Sequence, residues 1–357
     1  MSSDSTSHLS GPEEADDPED KGGAYFPLSY LTGMFDYFRR HAADINILTY
    51  GEFPWDGDFD YARNYPGEHA AWTAGLKSGR FDKRKAHVAI QYDVDTVPAR
   101  TFAALRHSAH RGIPANIMIF NRRIDRKRLK STGDLGFTPY EIDDACLRSL
   151  QQERFVVGYH TNAFEQGLHD TTRAMQAFDA DARELDSRFG LKFFSAHGGV
   201  AATDGRNNCD LPFHPDWSSK LRWVHNGYSP HFDGQFSDGG HNSIKRDPGK
   251  RDMRVLVSRF RPGCRYRILL HPQYYGASFR ASPRYGGTPW YDDLLALAGR
   301  GEDGEIWSDA AVAAAGQRAY AGASLAGASE AIAANFPGKH SQFSSTLRRA
   351  VGRLLRR

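Results

Sequence analysis

Two aspartates stand one residue apart at the end of an apolar run in "AHVAIQYDVDTVPART" (86–101). Side chains alternate along a strand, so Asp93 and Asp95 share a face. Like charges that close cost free energy unless a cation lies between them or one carboxyl holds a proton. The pair therefore asks for a metal, an acid–base reaction or both. Three further runs end in histidine: "FVVGYH" at His160, "KFFSAH" at His197 and "YRILLH" at His271. One carboxylate and two imidazoles make a three-ligand set for Zn²⁺, Co²⁺, Ni²⁺ or Fe²⁺ that leaves room for water and substrate. Such a cation acidifies water and polarises a carbonyl. The second carboxylate can accept a proton, and the remaining histidine can protonate a leaving group. Asp93 and Asp95 fit the two carboxylate roles, while His160, His197 and His271 supply two ligands and one acid. Each residue also has a plainer use: the aspartates as caps of a helix after Pro98, the histidines as buried or turn residues. Their shared position at the ends of apolar runs is what joins them into one set.

The elements that must carry these residues alternate. Short apolar runs at 45–50, 87–92, 115–120, 155–160, 192–197, 254–260 and 266–271 read as strands. Helical patterns lie between them at 99–112, 138–153 and 170–190. Pro139 after Thr138 reads as a helix start, and Gly190 as a helix stop. Strands alternating with helices imply an α/β fold with a parallel sheet or barrel. Sites in such folds gather at the carboxyl ends of the strands, where the four acidic or imidazole endings fall. Residues 201–250 lack regular pattern but hold Trp217, Trp223, Tyr228, Phe232 and Phe236. A long irregular stretch with that many aromatics reads as an ordered segment over the substrate. Tyr50, Phe53, Trp55 and Trp223 suit stacking against a sugar ring.

Composition excludes several classes. The chain is 40% hydrophobic with a net charge of +3, a globular balance that gives no reason to invoke nucleic acid. The charge is concentrated at the ends. Asp4, Glu13, Glu14, Asp16, Asp17, Glu19 and Asp20 face only Lys21 within residues 1–23, which read as a disordered acidic tail. Residues 24–300 read as the barrel domain and 301–357 as an Ala-rich helical extension. The extension ends in "TLRRAVGRLLRR", a basic amphipathic segment suited to peripheral contact with an anionic membrane. Cys146, Cys209 and Cys264 are an odd number without C-x-x-C spacing, against a disulfide framework and against a thiolate zinc site. No run of apolar residues is long enough to span a bilayer, and no basic-then-apolar leader opens the chain, so a cytoplasmic location is expected.

In order, "QYDVDTVPAR", "VVGYHTNAFE", "FFSAHGG", "FSDGGHN" and "ILLHPQYY" resemble the landmarks of the polysaccharide deacetylase (NodB-like, carbohydrate esterase 4-like) superfamily, in the branch associated with bacterial surface-polysaccharide clusters. The resemblance covers residues 85–280. It implies a distorted (β/α)7-type barrel and one divalent metal, zinc first. It also implies hydrolytic removal of an N- or O-acyl group from a sugar; the missing leader leads us to expect a nucleotide- or lipid-linked sugar as the substrate. By the same resemblance Asp93 matches the general base, Asp95 and His160 metal ligands, and His271 the acid toward the leaving group. The family's second ligand histidine falls at Phe164, which cannot bind metal, and its arginine–proline motif is replaced by "SAHGG". His197 is expected to supply the missing imidazole. Ser237, Asp238 and Gly239, with Asn208 and Trp223, are expected to line the substrate side. Two other readings stay open: an inactive sugar-binding relative, and a non-haem iron oxygenase using "HPD" (214–216), "HFD" (231–233) and His271.

Overall fold

The protein is described from a computed structural model, which covers residues 24–54, 61–96, 98–199, 201–210, 221–224, 232–239, 252–282, 285–299 and 303–321. Its strands are β1 (Phe26–Pro27), β2 (Ile45–Ile47), β3 (Ala86–Val94), β4 (Asn116–Ile119), β5 (Arg123–Ile124), β6 (Phe137–Thr138), β7 (Val156–Thr161), β8 (Phe193–Ala196), β9 (Arg222–Trp223), β10 (Gly234–Ser237), β11 (Arg265–Leu270) and β12 (Tyr275–Gly276). An eight-stranded sheet runs in the order β10-β11-β3-β4-β7-β8-β9, with β2 also paired to β3. All of its pairs are parallel. The α/β expectation therefore holds. The sheet is a curled half-barrel, and among the described residues no pair joins β9 to β10. The curl brings Phe193 of β8 and Phe232 before β10, near opposite ends of the sheet, within 5.8 and 6.4 Å of the Tyr50 ring.

Both faces of the sheet are buried, and strand alternation sorts the residues between them. Val88, Ile90, Tyr92 and Val94 of β3, Ile117 and Ile119 of β4, and Tyr266, Ile268 and Leu270 of β11 join the larger core under the helices. Ala89, Met118 and Phe193 point inward to a smaller cluster with Tyr50, Phe53 and Trp72. That parity fixes the site. Asp93 and Asp95 continue the inward column of β3, His160 that of β7, His197 that of β8 and His271 that of β11. A slip of one residue would send every one of them into the outer core.

Asn116 holds the fork where β2 and β4 take successive stretches of one edge of β3, Ala86–Val88 and Gln91–Val94. Its carbonyl accepts from Tyr50 N at 2.7 Å, and its amide donates to Ile90 O at 2.8 Å. Helix Thr171–Phe189 begins where Asp170 accepts from Arg173 N and ends at Gly190, left-handed at φ 60, as its sequence predicts.

Three elements differ from expectation. Residues 254–260 read as a strand, but Met253–Val257 is a helix capped by Asp252, a distinction that a short apolar run does not encode. The helix expected from Thr138 begins instead at Asp144, capped by Asp143, because Thr138 pairs with Arg123 in a β5–β6 hairpin. The irregular stretch 201–250 contains β9 and β10. Within the extension, Trp307 is 1% exposed, stacks 5.7 Å from Tyr30 and donates to Tyr30 O at 2.7 Å. The acidic tail, the basic C-terminal segment, Trp55, Trp217 and Tyr228 lie outside the described residues.

Candidate metal centre

Asp95, His160 and His197 offer ligand atoms that all lie within 4.8 Å of one another, the one such group of His, Cys, Asp or Glu among the described residues. His160 Nε2 is 3.1 Å from His197 Nδ1. Asp95 Oδ1 is 3.3 Å from each of them. Tetrahedral bonds of about 2.0–2.1 Å place neighbouring zinc ligands roughly 3.3 Å apart, so the triangle has the size of one face of such a site. Asp95 Oδ1 and His197 Nε2 are buried without a hydrogen-bond partner. An oxygen left bare beside two imidazole nitrogens is what a cation would satisfy. The residues fit a divalent ion.

The surroundings fix the donors. With His160 Nδ1–H donating to Ser195 Oγ at 2.9 Å, its Nε2 presents a lone pair to the site. Phe120 stacks on His160 at 5.1 Å and meets His197 edge-on at 5.2 Å, an apolar wall that lowers the local dielectric. Burial alone would raise the Asp95 carboxyl, yet His197, His160 and His271 together hold it well below the usual range. Burial depresses the His197 imidazole. It works against His160 too, but Asp93 and Asp95 outweigh it and raise that imidazole.

Asp93 and His271 flank the triangle. Asp93 is 2% exposed; its Oδ2 lies 3.7 Å from His160 Nε2 and its Oδ1 accepts from Gln91 Nε2 at 2.6 Å. His271 Nε2 lies 3.6 Å from the second oxygen of Asp95. Its Nδ1 donates to Asp238 Oδ1 at 2.5 Å, and its backbone N donates to Asp238 Oδ2 at 2.8 Å. Burial disfavours the imidazolium, but Asp238, then Asp95 and Asp93, raise His271 to about 10, so it is cationic at neutral pH. Gly239 permits this placement: a Cβ there would sit 2.5 Å from His271 Cε1.

The residues expected to line the substrate side divide. Ser237 and Gly239 flank Asp238 beside His271. Asp238 itself is 1% exposed and occupied by His271 and by Tyr275 OH at 2.9 Å, so it positions the imidazole. Asn208 accepts from Phe164 N and Glu165 N and donates to Glu165 Oε2, all within the protein. Trp223 packs into the larger core, and Tyr50 and Phe53 into the barrel interior. Phe164 is 1% exposed in the larger core, with its ring against His169. Phe164 thus belongs to the larger core, while His197, on the strand beside His160, is the second imidazole of the triangle. Sequence reading missed Ser195 and Gln91, although each sits two residues before a site residue on the same inward column.

No family model and no curated protein matches the chain. Among solved structures the chain is similar to a family 4 carbohydrate esterase from Bacillus anthracis, at 13% identity over 64% of this chain and 86% of that one, with a TM-score of 0.28. A likeness at that TM-score decides neither fold nor function.

Proposed function

We propose that the protein is a metal-dependent hydrolase that removes an N- or O-acyl group from a sugar, free, nucleotide-linked or lipid-linked. The observation that carries this reading is the placement of a ligand triangle, a second carboxylate and an imidazolium on the ends of β3, β7, β8 and β11. The ordered motifs from "QYDVDTVPAR" to "ILLHPQYY" support the carbohydrate deacetylase assignment. Asp95, His160 and His197 would hold a divalent cation, zinc first, which when bound supplies Lewis acidity toward a carbonyl and toward water.

The chain's own groups do the rest. Asp93 accepts a proton from the attacking water. His271, charged by its contact with Asp238, donates its Nε2 proton to the nitrogen or oxygen that leaves as the acyl bond breaks. The products are a carboxylic acid and the free amine or alcohol. The parallel sheet opposes the oxygenase alternative, which needs an all-β barrel; Asp233, one of its candidates, accepts from Arg265 N at 2.7 Å. The reading as an inactive sugar binder rested on Phe164; the position of His197 beside Asp95 and His160 supports the active one.

The test is acid release from a panel of N- and O-acetylated sugars by zinc- or cobalt-loaded protein, beside Asp93→Asn and His271→Gln. Release that both variants abolish supports the assignment. Release that either variant retains in full, or none across the panel, overturns it.

A further inference from the structure

Asp93 flanks the ligand triangle, and a hydrogen-bond file inside the barrel ends on its carboxylate. Gln91 and Tyr50 are fully buried. Tyr50 OH donates to Gln91 Oε1 at 2.5 Å, and Gln91 Nε2 donates to Asp93 Oδ1 at 2.6 Å. The amide has one orientation available, because a carboxylate only accepts and the tyrosyl proton needs the Gln91 oxygen. Behind Tyr50 stands Arg267, which hydrogen-bonds the phenol oxygen and donates to Gln235 Oε1 at 2.7 Å. Every member donates toward Asp93, so the file is polarised onto that carboxylate. The free oxygen, Asp93 Oδ2, is only 3.7 Å from His160 Nε2, the nitrogen aimed into the triangle. A rotation of the carboxylate toward that nitrogen would make Asp93 a fourth ligand and remove it as a base.

We infer that Gln91, backed by Tyr50, is a positioning residue that holds Asp93 outside the coordination sphere and so reserves it for proton transfer. This rests on the metal-site reading above and adds a choice between two uses of one carboxylate.

Metal affinity tests it without any substrate. Zinc alone is titrated into the metal-free full chain: wild type, Gln91→Leu, Tyr50→Phe, Asp93→Asn and the Gln91→Leu/Asp93→Asn double variant. An ordinary supporting residue strengthens its site, and its loss weakens metal binding roughly 10–100-fold. Here the sign reverses: Gln91→Leu binds zinc about tenfold tighter, on the scale of the same outer-shell effects. Tyr50→Phe shifts the same way by less, Asp93→Asn matches wild type, and the double variant returns to wild type. Should Gln91→Leu fail to fold by circular dichroism, the direction of the Tyr50→Phe shift decides. Unchanged or weaker binding in the folded single variants, or a gain that survives in the double variant, overturns the inference while leaving the metal site standing. Wild-type protein that binds no zinc overturns both.

Discussion

His160 Nε2 and His197 Nδ1 meet at 3.1 Å across two neighbouring strands, and each lies 3.3 Å from Asp95 Oδ1. The contact follows from register: His160 pairs with Ser195, and His197 is the next inward residue of β8. In the proposed site a divalent cation would lie against both nitrogens, which would give His197 the part that Phe164 cannot take. His197→Ala is expected to weaken zinc binding by more than about 100-fold, beyond the range of outer-shell changes. Competition with a chelator measures it, and near-wild-type affinity would remove His197 from the site.

Asp238 favours the protonated form of His271, as the proposed acid role requires. Asp238→Asn keeps the shape but removes the charge that sustains the imidazolium. Turnover is expected to fall by about 100-fold or more, the usual share of a general acid, with zinc affinity unchanged. The alkaline limb of the pH–rate profile moves to lower pH, since His271 is raised to about 10 in the wild type. A profile that stays in place refutes the pairing.

The reach of sequence reading is set by geometry. The inward columns of β3, β7, β8 and β11 were legible because period 2 carries Asp93, Asp95, His160, His197 and His271 to the strand ends together. The partners were less legible. Asp238 looks like a substrate contact in "SDGG" until the β10–β11 pairing sets it beside His271, and Tyr50 looks like a sugar platform until the curl turns it inward. Residues 254–260 carry the same apolar content as a strand, yet Met253–Val257 is a helix that Asp252 caps.

His87 gives a pH signature away from the site. It is fully buried, with Nε2–H donating to Asp82 O at 2.9 Å and Nδ1 accepting from Asn46 Nδ2 at 3.2 Å. Burial lowers its pKa below the ordinary imidazole value. The unfolded chain therefore binds the proton more readily. The stability that His87 contributes is full above a pH of about 6.5 and is lost as pH falls through the lowered folded value. Urea unfolding between pH 7 and pH 5 should show a smaller pH-dependent loss for His87→Gln than for wild type. Equal slopes would contradict this.

Trp307 ties the segment after the barrel to it. Its indole lies against Gly33, where an added Cβ would be 2.7 Å from Cδ1, and its carbonyl accepts from Arg40 at 2.8 Å. Trp307→Ala is expected to cost about 3–5 kcal/mol, the range for removing a buried large aromatic. Denaturant unfolding measures it, and a loss under about 1 kcal/mol would mean the segment contributes little to the fold.

The central claim is that Asp95, His160 and His197 form a metal site, and anomalous diffraction from zinc-loaded crystals tests it most directly. The account predicts one peak at the zinc edge, within bonding distance of Asp95 Oδ1, His160 Nε2 and His197 Nδ1, with Asp93 outside the coordination shell. No peak there, or zinc held by other residues while the triangle stays empty, would contradict it.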